Sequence, residues 1–286
     1  MRRVVCCGIG DEAGASIEAQ AAAHAALGWG TIELRTVEGA ALAELDGDRF
    51  EHVASVLGRE GVEVRCVASR IGGWARPITS PFERDVDELR ALAPRLRALG
   101  ARAVRVMSYL NDGLSARAWR EGVLRRVASL AELAESEGLE LLHENCCGWA
   151  GASAERSLEL LEAVGSPALR LLFDTGNGVP YGYDATAFLA DVLPHVAHVH
   201  VKDARKSSAG VVYTVPGEGD ADVGGCLRLL AEAGYDGAAS IEPHLQLVPH
   251  LGETTAHGDA FGAFVRCGRS LEQLLDAAAP VVEAVG

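Results

Sequence analysis

Short apolar runs alternate along this chain with longer amphipathic stretches. Each run is rich in β-branched and other apolar side chains, and the stretch that follows carries apolar residues at three- and four-residue spacing. The first pattern predicts strands and the second predicts helices. The eight predicted strands are VVCCGIG from Val4, TIELR from Thr31, VEVRCVAS from Val62, AVRVMSY from Ala103, LELLHEN from Leu139, LRLLFDTGN from Leu169, VAHVHVKDA from Val196 and GAASIEPH from Gly237.

The order of these elements predicts a parallel sheet, because strictly alternating strands and helices pack in that way. Several helices end in a glycine that can adopt the left-handed conformation before the next strand. Eight units in 286 residues fit a single (β/α)8 TIM barrel, one domain over residues 1–286. The alternative is an open sheet with a helical tail, but no glycine-rich phosphate-binding loop follows a strand. Pro94 predicts a kink or a break in the third helix.

Charge and composition exclude several classes of protein. The net charge of −14 disfavours binding to nucleic acid, which is itself polyanionic. No apolar run is long enough to predict a membrane span, and the amino-terminal residues read as a buried first strand rather than a signal peptide. The seven cysteines include two adjacent pairs, which suit neither a disulfide framework nor a zinc ribbon. We therefore expect a reduced, cytoplasmic protein.

Candidate chemistry concentrates at the carboxyl ends of strands five to eight, where barrels of this kind carry their active sites. Side chains alternate along a strand, so Glu144, Asp174, His200 and Glu242 converge if their faces point inward. Three carboxylates so close together repel one another unless a cation lies between them. We therefore expect one divalent metal ion per chain. The alternative is that each acid pairs separately with an arginine or a lysine.

The expected donor set is three carboxylates and one imidazole. Such an oxygen-rich set suits Mn²⁺, Mg²⁺ or Co²⁺ better than a structural zinc site. Mn²⁺ is the first expectation, and a catalytic Zn²⁺ remains an alternative.

The strings HEN, FDTGN, HVHVKDA and GEGDADVGGCLRLLAEAGYDGAASIEPH resemble the xylose isomerase-like TIM barrel superfamily. The resemblance spans nearly the whole chain and implies a sugar-transforming enzyme. It assigns the metal to Glu144, Asp174, His200 and Glu242. It also makes Glu144 and Glu242 the catalytic pair that moves a proton on the carbon beside a carbonyl, through a metal-stabilised cis-enediolate.

The chain departs from ketose epimerases of this superfamily at several positions. They usually place a histidine three residues after the strand-six aspartate, where this chain has Asn177. A second glutamate that is common after the strand-five glutamate is missing. The basic residue that follows the strand-seven histidine falls near Arg205 or Lys206. These differences weaken the assignment to a free-ketose epimerase.

Other polar residues at the strand ends are candidates for substrate binding: Glu33, Arg35, Asn177, Lys202, Arg205 and His244. Alternatives exist for most of them. Glu33 and Arg35 also suit a buried pair, Lys202 an ion pair with Asp203, and His244 a strand cap. The extended stretch around His250 and His257 is a candidate for a substrate cover or an oligomer contact.

These observations favour a metal-dependent isomerase or epimerase of a sugar or sugar derivative, acting in carbohydrate metabolism on a small molecule. A metal-dependent lyase or dehydratase is the alternative, because it begins with the same proton abstraction. The DNA-repair branch of the superfamily needs further metal ligands that the sequence does not supply. A sugar-binding protein without activity would not need four intact ligands.

Overall fold

The eight predicted strands form one parallel sheet that wraps into a nearly closed barrel. The computed structural model describes residues 4–208, 210–245, 247–248, 253–254 and 258–279. The barrel strands are β1 (Val5–Gly8), β2 (Thr31–Leu34), β3 (Glu63–Ala68), β4 (Ala103–Ser108), β5 (Glu140–Gly148), β6 (Leu169–Asp174), β7 (Val196–Val201) and β8 (Ala238–Ile241).

Sheet pairing runs from β2 through β3 to β8 and then to β1. A parallel bridge between Ile9 and Glu33 brings the two end strands together. The Thr31 hydroxyl also donates to the main-chain oxygen of Cys6 at 2.6 Å. The (β/α)8 barrel predicted from the sequence is therefore confirmed.

Helices cover the outside of the barrel, except for the four-residue helix Gly178–Tyr181, which follows the sixth strand at the carboxyl end of the barrel. They are α1 (Ile17–Leu27), α2 (Gly47–Glu60), α3 (Glu83–Ala98), α4 (Ala116–Glu137), α5 (Ala154–Val164), α6 (Gly178–Tyr181), α7 (Ala185–Val192), α8 (Val223–Glu232) and α9 (Ala260–Ala278). None of these described helices combines the length and the apolar composition that crossing a bilayer requires.

Glycine ends several helices as the sequence predicts. Gly28, Gly61 and Gly138 follow α1, α2 and α4 with φ between 66° and 74°. Of the kink or break predicted at Pro94, the break is wrong, because α3 continues to Ala98. Pro94 lies on the exposed side of α3, where water can bind the carbonyl group that loses its helical donor.

The barrel interior is apolar below the strand ends. Cys66, Ala103, Leu142 and Leu172 form a buried cluster inside it. Leu142 and Leu172 each lie two residues before an acidic residue, so Glu144 and Asp174 share the inward face of their strands.

Within the described residues, three short hairpins extend from the barrel: Thr36–Val37 with Ala40–Ala41, Asp203–Ser207 with Gly210–Thr214, and Leu247–Val248 with Glu253–Thr254. The predicted cover or oligomer contact around His250 and His257 falls on residues outside the described part of the chain.

Candidate metal and active site

Four buried side chains meet at the carboxyl end of the barrel. Glu144 lies on β5, Asp174 ends β6, His200 lies on β7, and Glu242 directly follows β8. None is more than 5% exposed. One ligand atom from each lies within 4.8 Å of the others. We call this group the carboxylate–histidine cluster. The sequence analysis expects these four side chains to converge, and the structure brings them together.

His200 aims one ring nitrogen into the centre of the cluster. Its Nδ1 lies 3.6 Å from Glu242 Oε2, 3.8 Å from Glu144 Oε1 and 4.0 Å from Asp174 Oδ2. No described group lies within hydrogen-bond distance of this nitrogen. Ligands of a common divalent cation are about 3–4 Å apart when each lies about 2.1 Å from it. The donor atoms therefore suit such an ion.

The proton affinity of His200 reflects the same electrostatics. Burial disfavours the imidazolium, but the charge and hydrogen bonds of Glu33, together with the nearby carboxylates of Glu144 and Glu242, raise the pKa of His200 well above its ordinary value. The centre of the cluster thus attracts positive charge, and a metal ion bound there would compete with a proton for Nδ1.

Lys202 supplies a positive charge at the edge of the cluster. Its Nζ lies 2.7 Å from Glu242 Oε2 and 2.8 Å from Asp174 Oδ2. Burial raises the pKa of Asp174 to about 6, with Glu242 and Glu144 adding to the increase and Lys202 opposing it. The predicted alternative partner, Asp203, instead accepts main-chain N–H groups, including those of residues 217 and 219.

Each glutamate of the cluster also faces an arginine. Glu144 Oε2 lies 3.5 Å from Arg105 Nε, and Glu242 Oε1 accepts a hydrogen bond from Arg35 Nη1 at 3.1 Å. Burial favours the neutral acid at Glu144, but the charge of Arg105 leaves the pKa of that carboxyl below its ordinary value. Arg105 was not predicted as a site residue, although an arginine within the apolar run AVRVMSY is a signal that could have revealed it.

Arg35 links the end of β2 to the loop after β1. Its Nη2 donates to Asp11 Oδ1 at 2.8 Å and to Glu12 Oε1 at 3.2 Å. Glu12 in turn contacts His244, whose Nδ1 lies 2.8 Å from Glu12 Oε1. Asp11 and Glu12 were not predicted as site residues, although an acidic pair directly after the first strand of a barrel is a usable signal.

Only some of the residues predicted to bind substrate line the cavity above the cluster. Asn177 donates from Nδ2 to Glu144 Oε1 at 3.2 Å. Glu33 is fully buried, and its carboxylate lies between His198 and His200. Arg205 is exposed and contacts the main-chain oxygen of Glu218. Arg35, Asn177, Lys202 and His244 line the cavity described next, whereas Glu33 and Arg205 are not among its lining residues.

A cavity of about 870 Å³ opens above the cluster. Its volume lies within the range typical of small-molecule sites. The polar part of its wall includes Arg105, Glu144 and Glu242. The apolar part includes Trp74, Met107, Cys146, Pro180 and Tyr181. The rings of Trp74 and Tyr181 stack with centroids 6.4 Å apart. The cavity therefore offers charged groups and an aromatic surface to one ligand.

Comparison with known proteins identifies the family. The model of the xylose isomerase-like TIM barrel family matches residues 21–261, so this chain belongs to that family. An inosose dehydratase from Clostridium perfringens is 26% identical over 226 residues, which cover 68% of this chain and 75% of the relative.

Solved structures share the fold. An L-ribulose 3-epimerase superposes with a TM-score of 0.75 at 17% identity, over 97% of this chain and 96% of its own. A xylose isomerase-like TIM barrel protein from Mycobacterium smegmatis, solved in complex with magnesium, superposes with a TM-score of 0.69 at 18% identity, over 98% of both chains.

Proposed function

We propose that this protein is a divalent-metal-dependent isomerase or epimerase of a sugar or sugar derivative. One observation carries the proposal. Glu144 and Glu242 each direct one carboxylate oxygen toward His200 Nδ1 and the other toward an arginine. Two carboxylates that face one centre suit a reaction in which one removes a proton and the other returns it.

The cluster of Glu144, Asp174, His200 and Glu242 would hold the metal ion. Three carboxylates and one imidazole favour Mn²⁺, with Mg²⁺, Co²⁺ and Zn²⁺ as alternatives. When bound, the ion would polarise a substrate carbonyl and carry part of the negative charge of an enediolate. The unpartnered nitrogen of His200 and the donor atoms, which all lie within 4.8 Å of one another, support this assignment.

The two glutamates would act as the acid/base pair. A carboxylate must be ionised to remove a proton, and the neighbouring charges favour that state. Burial disfavours the charged form of Glu242, but Lys202 and His244 lower the pKa of its carboxyl well below the ordinary value. Asn177, Lys202 and His244, which line the cavity, would bind substrate oxygens.

A dehydratase is the second candidate. The relative that covers 68% of this chain is an inosose dehydratase, and Asn177 stands where epimerases usually carry a histidine. The same glutamate would remove a proton beside the carbonyl. The C–H electron pair would form the new double bond as the β-hydroxyl departs with a proton as water. The ammonium of Lys202, which lines the cavity, is placed to donate that proton.

Solvent exchange distinguishes these reactions. The Mn²⁺-loaded protein is incubated in deuterated water with a panel of ketoses and inososes, and the products are analysed by mass spectrometry. An isomerase or epimerase yields isomers that carry solvent deuterium, and a dehydratase yields a product lighter by one water. If no panel member exchanges or is converted, the proposed function is wrong for both classes of substrate.

A further inference from the structure

Glu33 crosses the barrel interior to two histidines of a strand that is not its neighbour. It lies on β2, whereas His198 and His200 lie on β7, and β1 and β8 separate the two strands. Glu33 Oε2 lies 2.9 Å from His198 Nε2, and Glu33 Oε1 lies 3.0 Å from His200 Nε2. All three side chains are at most 4% exposed. The carboxylate is therefore shielded from water and from a cavity ligand.

This contact fixes which nitrogen of His200 carries a proton. An ionised carboxylate accepts hydrogen bonds only, so the nitrogen that faces Glu33, Nε2, must be the donor. In the neutral ring the other nitrogen then carries a lone pair. That nitrogen, Nδ1, has no described hydrogen-bond partner and faces the three carboxylates of the cluster. The ring is thus oriented for coordination.

His198 holds Glu33 in this position. Its ring lies 5.6 Å from that of His200 at an interplanar angle of 81°, so both Nε2 atoms reach the same carboxylate from different directions. Two donors on one carboxylate restrict its rotation. They also compensate for its burial, which would otherwise carry a large desolvation cost.

We propose that Glu33 is a positioning residue that sets the tautomer and orientation of His200, so that Nδ1 binds the metal ion. This inference rests on the proposed metal centre. It replaces the substrate contact that the sequence analysis predicts for Glu33. A carboxylate behind a histidine ligand raises the basicity of the ligand and restricts its ring, and removal of such a partner typically costs 10- to 100-fold in metal affinity.

Calorimetric titration with Mn²⁺ alone tests the proposal on metal-stripped protein. We expect Glu33→Gln to bind Mn²⁺ about 10- to 100-fold more weakly than the wild type. The amide retains the shape of the carboxylate but loses its charge, and in either orientation its NH₂ group faces a histidine Nε2 that donates to the carboxylate in the wild type. The control is Glu63→Gln, the same substitution at an exposed position on β3, and its affinity should equal that of the wild type. A purely structural role would lower the melting temperature without changing the affinity.

Equal Mn²⁺ affinity in the folded Glu33→Gln variant would overturn this inference and leave the metal centre intact. Absence of Mn²⁺ binding by the wild type would overturn both. If Glu33→Gln does not fold, NMR of the Zn²⁺-bound wild type tests the inference instead. Long-range ¹H–¹⁵N correlations show which nitrogen of each histidine carries a proton. A proton on His200 Nε2 with Nδ1 coordinated supports the proposal, and the opposite tautomer contradicts it.

Discussion

Glu242→Gln is expected to lower kcat by at least about 10²-fold while leaving the fold intact. The amide cannot accept a proton as a base and is a weaker metal ligand than a carboxylate. The fold should survive because the cations around Glu242 keep other partners. Lys202 retains Asp174, and Arg35 retains Asp11 and Glu12. Steady-state kinetics on the substrate found by solvent exchange, together with thermal unfolding, measure both effects.

The matched control for this experiment is Glu232→Gln. Glu232 ends α8 with an exposed side chain, so the same loss of charge occurs away from the cavity. Its kcat should equal that of the wild type. If Glu242→Gln retains more than about a hundredth of the wild-type kcat, the acid/base assignment is wrong, since general acid–base catalysis contributes about 10²–10⁴-fold.

Arg35→Leu is expected to destabilise the protein by about 3–5 kcal/mol, because it removes one partner from a buried ionic network. The guanidinium lies within 3.2 Å of carboxylate oxygens of Asp11, Glu12 and Glu242. Its side chain is only 9% exposed. Without it, three buried or nearly buried carboxylates lose a shared cation. Equilibrium unfolding in urea measures the change in the free energy of unfolding.

Arg49→Leu provides the comparison for the stability measurement. Arg49 pairs with Glu38 at 3.2 Å, but the side chains are 38% and 62% exposed. Solvent screens such a pair, so the expected change is within about 1 kcal/mol. Similar small changes for Arg35→Leu and Arg49→Leu would show that the network around Arg35 does not stabilise the fold.

The sequence predicts the barrel and the convergence of the cluster well because both follow from local periodicity. Alternation along β5 places Leu142 and Glu144 on one face, and the same parity places Leu172 and Asp174 together. Parallel strands end at the same edge of the barrel, so residues distant in sequence become neighbours without knowledge of their contacts.

Pairing across the barrel interior is what the sequence does not reveal. The contact between Glu33 and His200 joins residues 167 positions apart, and no spacing rule indicates which charge on one strand meets which on another. For the same reason the contact of Arg105 with Glu144 was not predicted. The alternative ion pair of Lys202 with Asp203 was wrong, because Lys202 pairs with Asp174 and Glu242. Pro94 is the opposite case: the local sequence predicts a kink or a break, but α3 continues to Ala98 with Pro94 on its exposed side.

Metal binding tests the central claim most directly. Metal-stripped wild type, Asp174→Ala and the exposed control Asp191→Ala are titrated with Mn²⁺, and bound metal is quantified by elemental analysis. Asp174 is fully buried and supplies an oxygen to the centre of the cluster, whereas Asp191 lies on the exposed side of α7. The proposed centre predicts one ion per chain in the wild type and in Asp191→Ala, and loss of that ion in Asp174→Ala. No binding by the wild type, or unchanged binding by Asp174→Ala, would contradict it.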